Sequence, residues 1–480
     1  MSSGPSVWAR GLTWLAAVLG VLGVGIQVLP AADTWWHIAA GEKILENGGL
    51  LYRDPFSFTA GDHPWLTHEW LVEILFAQTV KWWGLSGLCL LKLALLIVSG
   101  AVLPCLSHHR NGERHDWLWL IPLLALACEW AFFVDARAYL ITYLLLSFTV
   151  FALLEHQRSH DWRWLAPLPL AQLLWVNSHG GFILGPAVMG VFFLCGPKRR
   201  TLGAFTALTL FCTVFNPEGK AMLLFPFSLL QTDAFSVGLN EWARPDLLGK
   251  QLPYSLVVCF TVAVVLWRRQ HINLALVLST CAFLLLGLKA WRHEPLAALM
   301  LFYLLPATLP RLRLTATKTL AVATAFFVAS LAFVFTKRHI ATGAQMLGLN
   351  FFPLEATQYL TQTPNLPRHL FNPYGWGGFL LWRLPPHYKI FFDGRAHTVY
   401  PETVFRDGYY IQYGEPWLRI LSKRGLTLPN RSRSELLTDY GIDLVLSNRF
   451  QGDLAQYLAG DPEWTPIYQD FTSVLFLRRP

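Results

Sequence analysis

The sequence predicts an α-helical polytopic membrane protein of about eleven spans, followed by a C-terminal extracytoplasmic α/β domain. Three observations predict it. The 480 residues are 54% hydrophobic and only 14% charged, with a mean hydropathy of +0.39, whereas soluble domains carry roughly 25% charged residues. Long apolar runs recur between residues 12 and 336 and then cease. After that point Pro, Asn, Asp and Arg become frequent, and short apolar runs alternate with helical patterns, as in a small α/β domain.

The spans read, in order, as roughly 12–30, 86–106, 117–134, 138–155, 163–177, 181–196, 201–216, 253–267, 272–289, 295–310 and 319–336. Several fall short of the about 20 residues that a bilayer asks for, which tilt and interfacial tryptophans can absorb. The first run follows a short basic flank at Arg10 and exceeds a signal-peptide core, so it reads as an uncleaved span. Residues 1–336 thus form the transmembrane domain, with outer loops at 31–85 and 217–252, and residues 337–480 form the outer domain. Within the first loop, Trp70 to Trp83 is amphipathic at helical spacing and is expected along the interface. In the second, Met222 to Phe227 is too short to span.

Orientation follows from the basic residues. With the N-terminus cytoplasmic, the inner loops hold Arg110 and Arg114, Arg158 and Arg163, Lys198 to Arg200, Arg268 and Arg269, and Arg311, Arg313 and Lys318. The expected location is therefore the cell (inner) membrane, with the C-terminal domain outside. The formal charge of +8 is explained by those loops and not by nucleic-acid binding, since no basic run exceeds Lys198-Arg199-Arg200. All seven cysteines lie in or beside apolar segments without a Cys-x-x-Cys pair, which supports neither a disulfide framework nor a thiolate zinc site.

This orientation puts the unusual polar residues on one face: Asp33 and His37, Asp135 and Arg137, Asn177 and His179, Glu241 and Arg244, and Arg292 to Glu294. Ionisable groups at span ends are costly unless they face a cavity or a partner. Five connections supplying them predict a shared polar cavity at the outer boundary; helix caps in water are the plainer alternative. Asp33, just after the first span, sits beside Trp35, Trp36 and His37, and the same loop closes on His68 and Glu69. The two tryptophans also fit an interfacial belt, and Asp33 a solvated cap.

In the outer domain, strands are expected at His369 to Phe371, Lys389 to Phe392, Asp443 to Leu446 and Ser473 to Leu477. Helices are expected at 351–362, 376–384, 401–424, 433–440 and 451–459. Asn372-Pro373-Tyr374-Gly375-Trp376-Gly377-Gly378 follows a strand and precedes a helix, so its glycines allow close backbone approach, although the spacing is not a dinucleotide fingerprint. Asp393-Gly394-Arg395 ends a strand, where α/β domains place ligand groups; a structural turn with a local ion pair is the alternative.

The motifs Asp33-x-Trp-Trp-His37, Asp54-Pro-Phe-Ser57, His68-Glu69-Trp70, Tyr374 to Gly378 and Asp393-Gly394-Arg395, on this architecture, resemble a bacterial branch of the GT-C membrane glycosyltransferases. That resemblance implies a GT-C-like fold and transfer of a sugar, of hexosyltransferase type, from a polyprenyl-phosphate carrier to a glycan, lipid or protein acceptor in the cell envelope. It also implies membrane lipids as partners and Asp33 as the key acid of the first outer loop. The sequence has no paired acid at 33–35 and no Trp-Trp-Asp-Tyr-Gly signature, so acceptor type and metal need do not carry over.

Chemically, such transfer needs a base near the acceptor hydroxyl and positive charge at the leaving phosphate. Asp33, with His37 and Glu69, is the expected catalytic set. Trp36, His68, Arg137, His179, Arg292, His293, Tyr374, Asp393 and Arg395 are the expected substrate contacts. His37, His68 and Glu69 could instead hold a divalent cation such as Mg or Mn, but their spacing is not diagnostic. A transporter or lipid flippase is the alternative function; against it stands the absence of a convincing internal repeat. A non-catalytic assembly or sensor protein is the third, and it would tolerate Asp33→Asn.

Overall fold

The computed structural model describes residues 32–61, 63–110, 135–196, 199–228, 240–269, 272–309 and 351–479, with scattered positions at 11–22, 124 and 317–328. The spans expected at 12–30, 117–134 and 319–336 lie mostly outside those residues. The chain divides into two compact units.

The first unit contains most of residues 86–309. Among the described residues, two helical stretches are long and apolar enough to cross a bilayer, Trp70–Arg110 and Tyr139–Ser159. Leu252–Trp267 and Leu274–Lys289 are apolar but shorter. Glu294–Thr308 is almost wholly buried, as a helix apolar on all sides should be. The span expected at 163–177 is instead a nine-residue helix, Leu168–Val176, about 14 Å long and so less than half a bilayer core. Pro167 and Pro169 start it, and the Asn177–His179 turn ends it.

The stretch Trp70–Arg110 is not regular. Gly84 adopts φ 65° and ψ −169°, which breaks the helix close to the expected limit of the amphipathic segment. Further on, Val98–Val102 widens into a π-helical turn. Pro104 has no N–H to return to that turn, and Ser147 Oγ donates to the Ser99 carbonyl instead at 2.7 Å. Tyr303 bonds Ser147 in turn, which ties three helices together.

The second unit joins residues 32–85 to residues 351–479. Its sheet has five strands in the order β2-β1-β3-β5-β4. They are β1 His369–Phe371, β2 Lys389–Ile390, β3 Leu444–Asn448, β4 Trp464–Gln469 and β5 Ser473–Arg478. β1 runs parallel to β2 and β3, while β3–β5 and β5–β4 are antiparallel. β4 was not expected: Pro466 argues against a central strand, and β4 is indeed the edge. The expected helix 401–424 is two helices, Glu402–Tyr413 and Glu415–Lys423, divided where Gly414 takes φ 62°.

Residues 55–59 lie along the other edge, on β2. Phe58 N–H donates to the Ile390 carbonyl at 3.2 Å and Ile390 N–H donates to the Phe56 carbonyl at 3.3 Å. The Asp54-Pro-Phe-Ser57 motif therefore covers an open sheet edge. Trp36, Ala40, Ile44, Leu51 and Trp65 share one hydrophobic core with Phe371, Phe391, Phe392 and Phe405.

Candidate functional site

Asp33 stands in the first turn of the helix Ala32–Asn47, where the helix dipole favours an anion. The neighbouring indoles are not an interfacial belt. Trp35 is fully buried, stacked on Trp382 at 5.0 Å and edge-on to Phe352 and Phe379 at 5.4 Å each, and Trp36 is buried beside it. The helix packs against Gly377–Arg383. A β-carbon at Gly378 would overlap the Ala32 carbonyl and sit 3.2 Å from Trp36 N. Glycine at this position therefore sets how closely the two helices approach.

One turn beyond Asp33, the buried His37 places Nε2 at 3.9 Å from Glu69 Oε2, and His68 places Nε2 at 3.6 Å from Glu69 Oε1. The structure thus brings His37, His68 and Glu69 together. It adds Glu73, one helical turn after Glu69, which is 1% exposed with Oε2 buried and unbonded. The i, i+4 spacing at a helix start was the available signal for Glu73.

Asp393 and Arg395 take the form of the alternative, a structural turn with a local ion pair, and both are buried. Arg395 donates to Asp393 Oδ1 at 2.8 Å and Oδ2 at 2.6 Å, to Asp54 Oδ1 at 2.7 Å and to the Tyr400 hydroxyl at 3.1 Å. Its guanidinium lies against the rings of Trp65, Phe56 and Tyr400 at 4.6, 5.1 and 5.7 Å. Burial works against its charge, but Asp393, Asp54 and Tyr400 more than compensate and hold its pKa well above the ordinary value. Asp54 also accepts from the N–H groups of Phe56 and Ser57 and from the Ser57 hydroxyl. These contacts tie the turn to the loop at 54–57 within the unit. Tyr374 likewise packs its ring among Phe392, Phe405 and Tyr409.

Between the two buried charges, Gly394 meets the acid at the start of the chain. A β-carbon there would overlap Asp33 Oδ1 and come 3.0 Å from its Cγ and 3.1 Å from Trp36 Nε1. Two motifs singled out separately in the sequence are thus in contact.

In the other unit, Arg137 Nη1 lies 3.0 Å from Glu241 Oε2 and Arg292 Nη1 lies 3.1 Å from Glu241 Oε1. One carboxylate bridges two guanidiniums, each about one-fifth exposed. Trp242 lies against Arg292 at 4.2 Å, and His293 meets the same indole edge-on at 6.2 Å. Burial alone would raise the Glu241 pKa, but Arg137 and Arg292 outweigh it and pull the carboxyl down to about 2. Burial, then Arg292, pushes His293 down to about 3, against the pull of Glu241, so it is neutral at pH 7. The cluster then carries one net positive charge. Glu241 was visible as a polar loop residue, but its bridging role was not.

His179 sits in the turn after Leu168–Val176. Its Nδ1 accepts from Gly181 N–H at 3.0 Å and lies 2.8 Å from Thr142 Oγ1, so it caps the turn between two short helices. As for a metal, no three His, Cys, Asp or Glu side chains converge on a common point among the described residues.

No protein-family model and no curated protein matches the sequence. Solved structures do. The chain is similar to ArnT from Cupriavidus metallidurans bound to undecaprenyl phosphate, at 13% identity over 98% of this chain and 97% of that one, with TM-score 0.57. It is also similar to the Archaeoglobus fulgidus oligosaccharyltransferase in its apo form, at 13% identity over 92% and 70%, with TM-score 0.53. The same enzyme complexed with Zn and sulfate gives 11% identity over 93% and 69%, with TM-score 0.55. What these proteins share with the chain is the fold.

Proposed function

Starting from the GT-C fold, that of polytopic membrane glycosyltransferases, we propose that this chain moves a sugar from a polyprenyl-phosphate-type carrier to an extracytoplasmic acceptor. The observation that carries the reading is the likeness, over nearly the whole of both chains, to a structure bound to undecaprenyl phosphate. In the proposed reaction Asp33 accepts the proton of the acceptor hydroxyl as its oxygen bonds the anomeric carbon. The bond from that carbon to the carrier phosphate breaks, and the phosphate leaves with the electron pair. For the carrier phosphate the proposed ligands are Arg137 and Arg292, whose guanidiniums suit its oxygens. The single net positive charge of their cluster suits a phosphodiester carrying one negative charge. His37 and Glu69 orient the acid, and neutral His293 offers a hydrogen bond without adding charge.

The test is transfer from radiolabelled polyprenyl-phosphate sugars by the purified chain in nanodiscs, across a panel of glycan, lipid and protein acceptors. Asp33→Asn should bind donor normally and lose roughly 10²- to 10⁴-fold in turnover, the usual contribution of a general base. Arg292→Lys should weaken donor binding, because an ammonium keeps the charge but loses the planar fork. Wild-type turnover by Asp33→Asn removes the base. No transfer by the wild type across the whole panel would move the weight to the transporter reading.

A further inference from the structure

We infer that the turn Asp393–Ala396 is a rest that fixes the position of the Asp33 carboxylate, with Gly394 as its point of contact and Arg395 as its anchor. In the reaction proposed above these are positioning residues, a role that rests on reading Asp33 as the base.

Three independent features of the turn lead there. The first is space. Gly394 does not use a left-handed backbone, so its conformation is open to alanine. What excludes a side chain is the Asp33 carboxylate itself, together with the Trp36 indole. The second is strain. Ala396, two residues on, holds φ 43°, a left-handed conformation that a residue with a β-carbon rarely adopts. Such strain persists only where surrounding contacts over-determine it, and it concentrates at functional sites.

The third feature is what holds the strain. Arg395 is clamped by Asp393, Asp54 and Tyr400, and Tyr400 O–H donates back to Asp393 Oδ2 at 2.6 Å. Asn372 adds bonds to the Phe392 carbonyl and from Phe391 N–H, which fixes the strand end that enters the turn. A buried ion-pair network is weak support for stability in itself, because desolvation offsets its attraction. Its best-attested use is to specify one geometry among several. Here that geometry brings a bare backbone up against Asp33, which is itself only partly buried and so open to a reactant.

The experiment uses full-length protein in nanodiscs and two readouts that need no substrate. In the first, melting temperatures are compared for wild type, Gly394→Ala, Asp33→Ala and the double variant. Alanine at 394 should lower the melting temperature in the wild-type background and cost much less where Asp33 has been removed. Additive effects would overturn the contact. In the second, carbodiimide labelling of Asp33 is followed by mass spectrometry. Gly394→Ala and Arg395→Lys should both raise it while exposed Glu402 and Glu463 stay constant. Unchanged Asp33 labelling in folded Gly394→Ala overturns the proposal, even if Arg395→Lys fails to fold. Where transfer is measurable, kcat should fall by about 100-fold, as expected for misplacing a reacting group by an ångström, with KM for the labelled donor unchanged. Wild-type turnover by Asp33→Asn would cancel the catalytic meaning of the rest and leave both substrate-free readouts to decide whether it exists.

Discussion

Replacing Glu241 by glutamine keeps the shape of the Arg137–Glu241–Arg292 bridge and removes its negative charge. The carboxyl pKa falls from 4.5 to about 2 in the folded chain, which corresponds to roughly 3 kcal/mol at about 1.4 kcal/mol per pH unit. Glu241 is one-fifth exposed, so solvent screening reduces this to about 2 kcal/mol at pH 7. The sign follows from the direction of the shift. A depressed carboxyl pKa contributes stability that is complete above pH 4.5 and is lost as pH falls toward 2. Urea unfolding in detergent micelles should therefore separate wild type and Glu241→Gln by about 2 kcal/mol at pH 7, and the gap should close on acidification. A gap of the same size at pH 3, or none at pH 7, would refute the electrostatic account. A second arm concerns the ligand. Glu241 competes with an incoming phosphate for both arginines, so undecaprenyl phosphate should stabilise the glutamine variant more than the wild type. Equal stabilisation would remove these arginines from the phosphate site.

Three other predictions can be checked separately. Gly378→Ala should destabilise the second unit by about 1–3 kcal/mol, the usual range for overpacking, because its β-carbon meets the Ala32 carbonyl; unchanged denaturant stability would show that the helices separate freely. Reporter fusions at Arg200 and Gln345 should report opposite sides of the membrane, the cytoplasmic one at Arg200, and both on one side would remove the shared polar cavity. His293→Gln should leave donor binding within a few-fold at pH 7, because a neutral hydrogen-bonding group replaces a neutral imidazole; a large loss would mean that the histidine binds as a cation.

What could be read from the sequence was mainly local. β1 was placed to the residue from its apolar run, and β5 to within one. Gly377 and Gly378 were read correctly as sites of close approach, although neither partner could be named: Gly377 meets the strand end at Phe392 and Asp393, and Gly378 a helix more than 300 residues earlier. The same limit explains Asp393 and Arg395. At the end of a strand they resemble ligand groups, and only the tertiary contact with Asp54, 341 positions away, reveals an internal network. Trp35 and Trp36 were ambiguous for a different reason. A tryptophan pair beside a membrane span has the same pattern whether it meets lipid or a folded core. The short helix Leu168–Val176 was recoverable: Pro167 and Pro169 mark its start, and hydropathy alone joined it to its neighbours.

The joining of residues 32–85 to residues 351–479 also sets an order of events in the cell. The helix that carries Asp33 is made well before its partners, which follow about 300 residues later, and at about 5–20 residues per second that means a wait of roughly 15–60 s. Throughout that interval Trp35 and Trp36 have no core to enter. β5, the strand between β3 and β4, follows both of them in the chain, so the sheet cannot close until β5 has been made. A chain that stops early, even after every helix of the first unit has been made, therefore presents an acid without its rest.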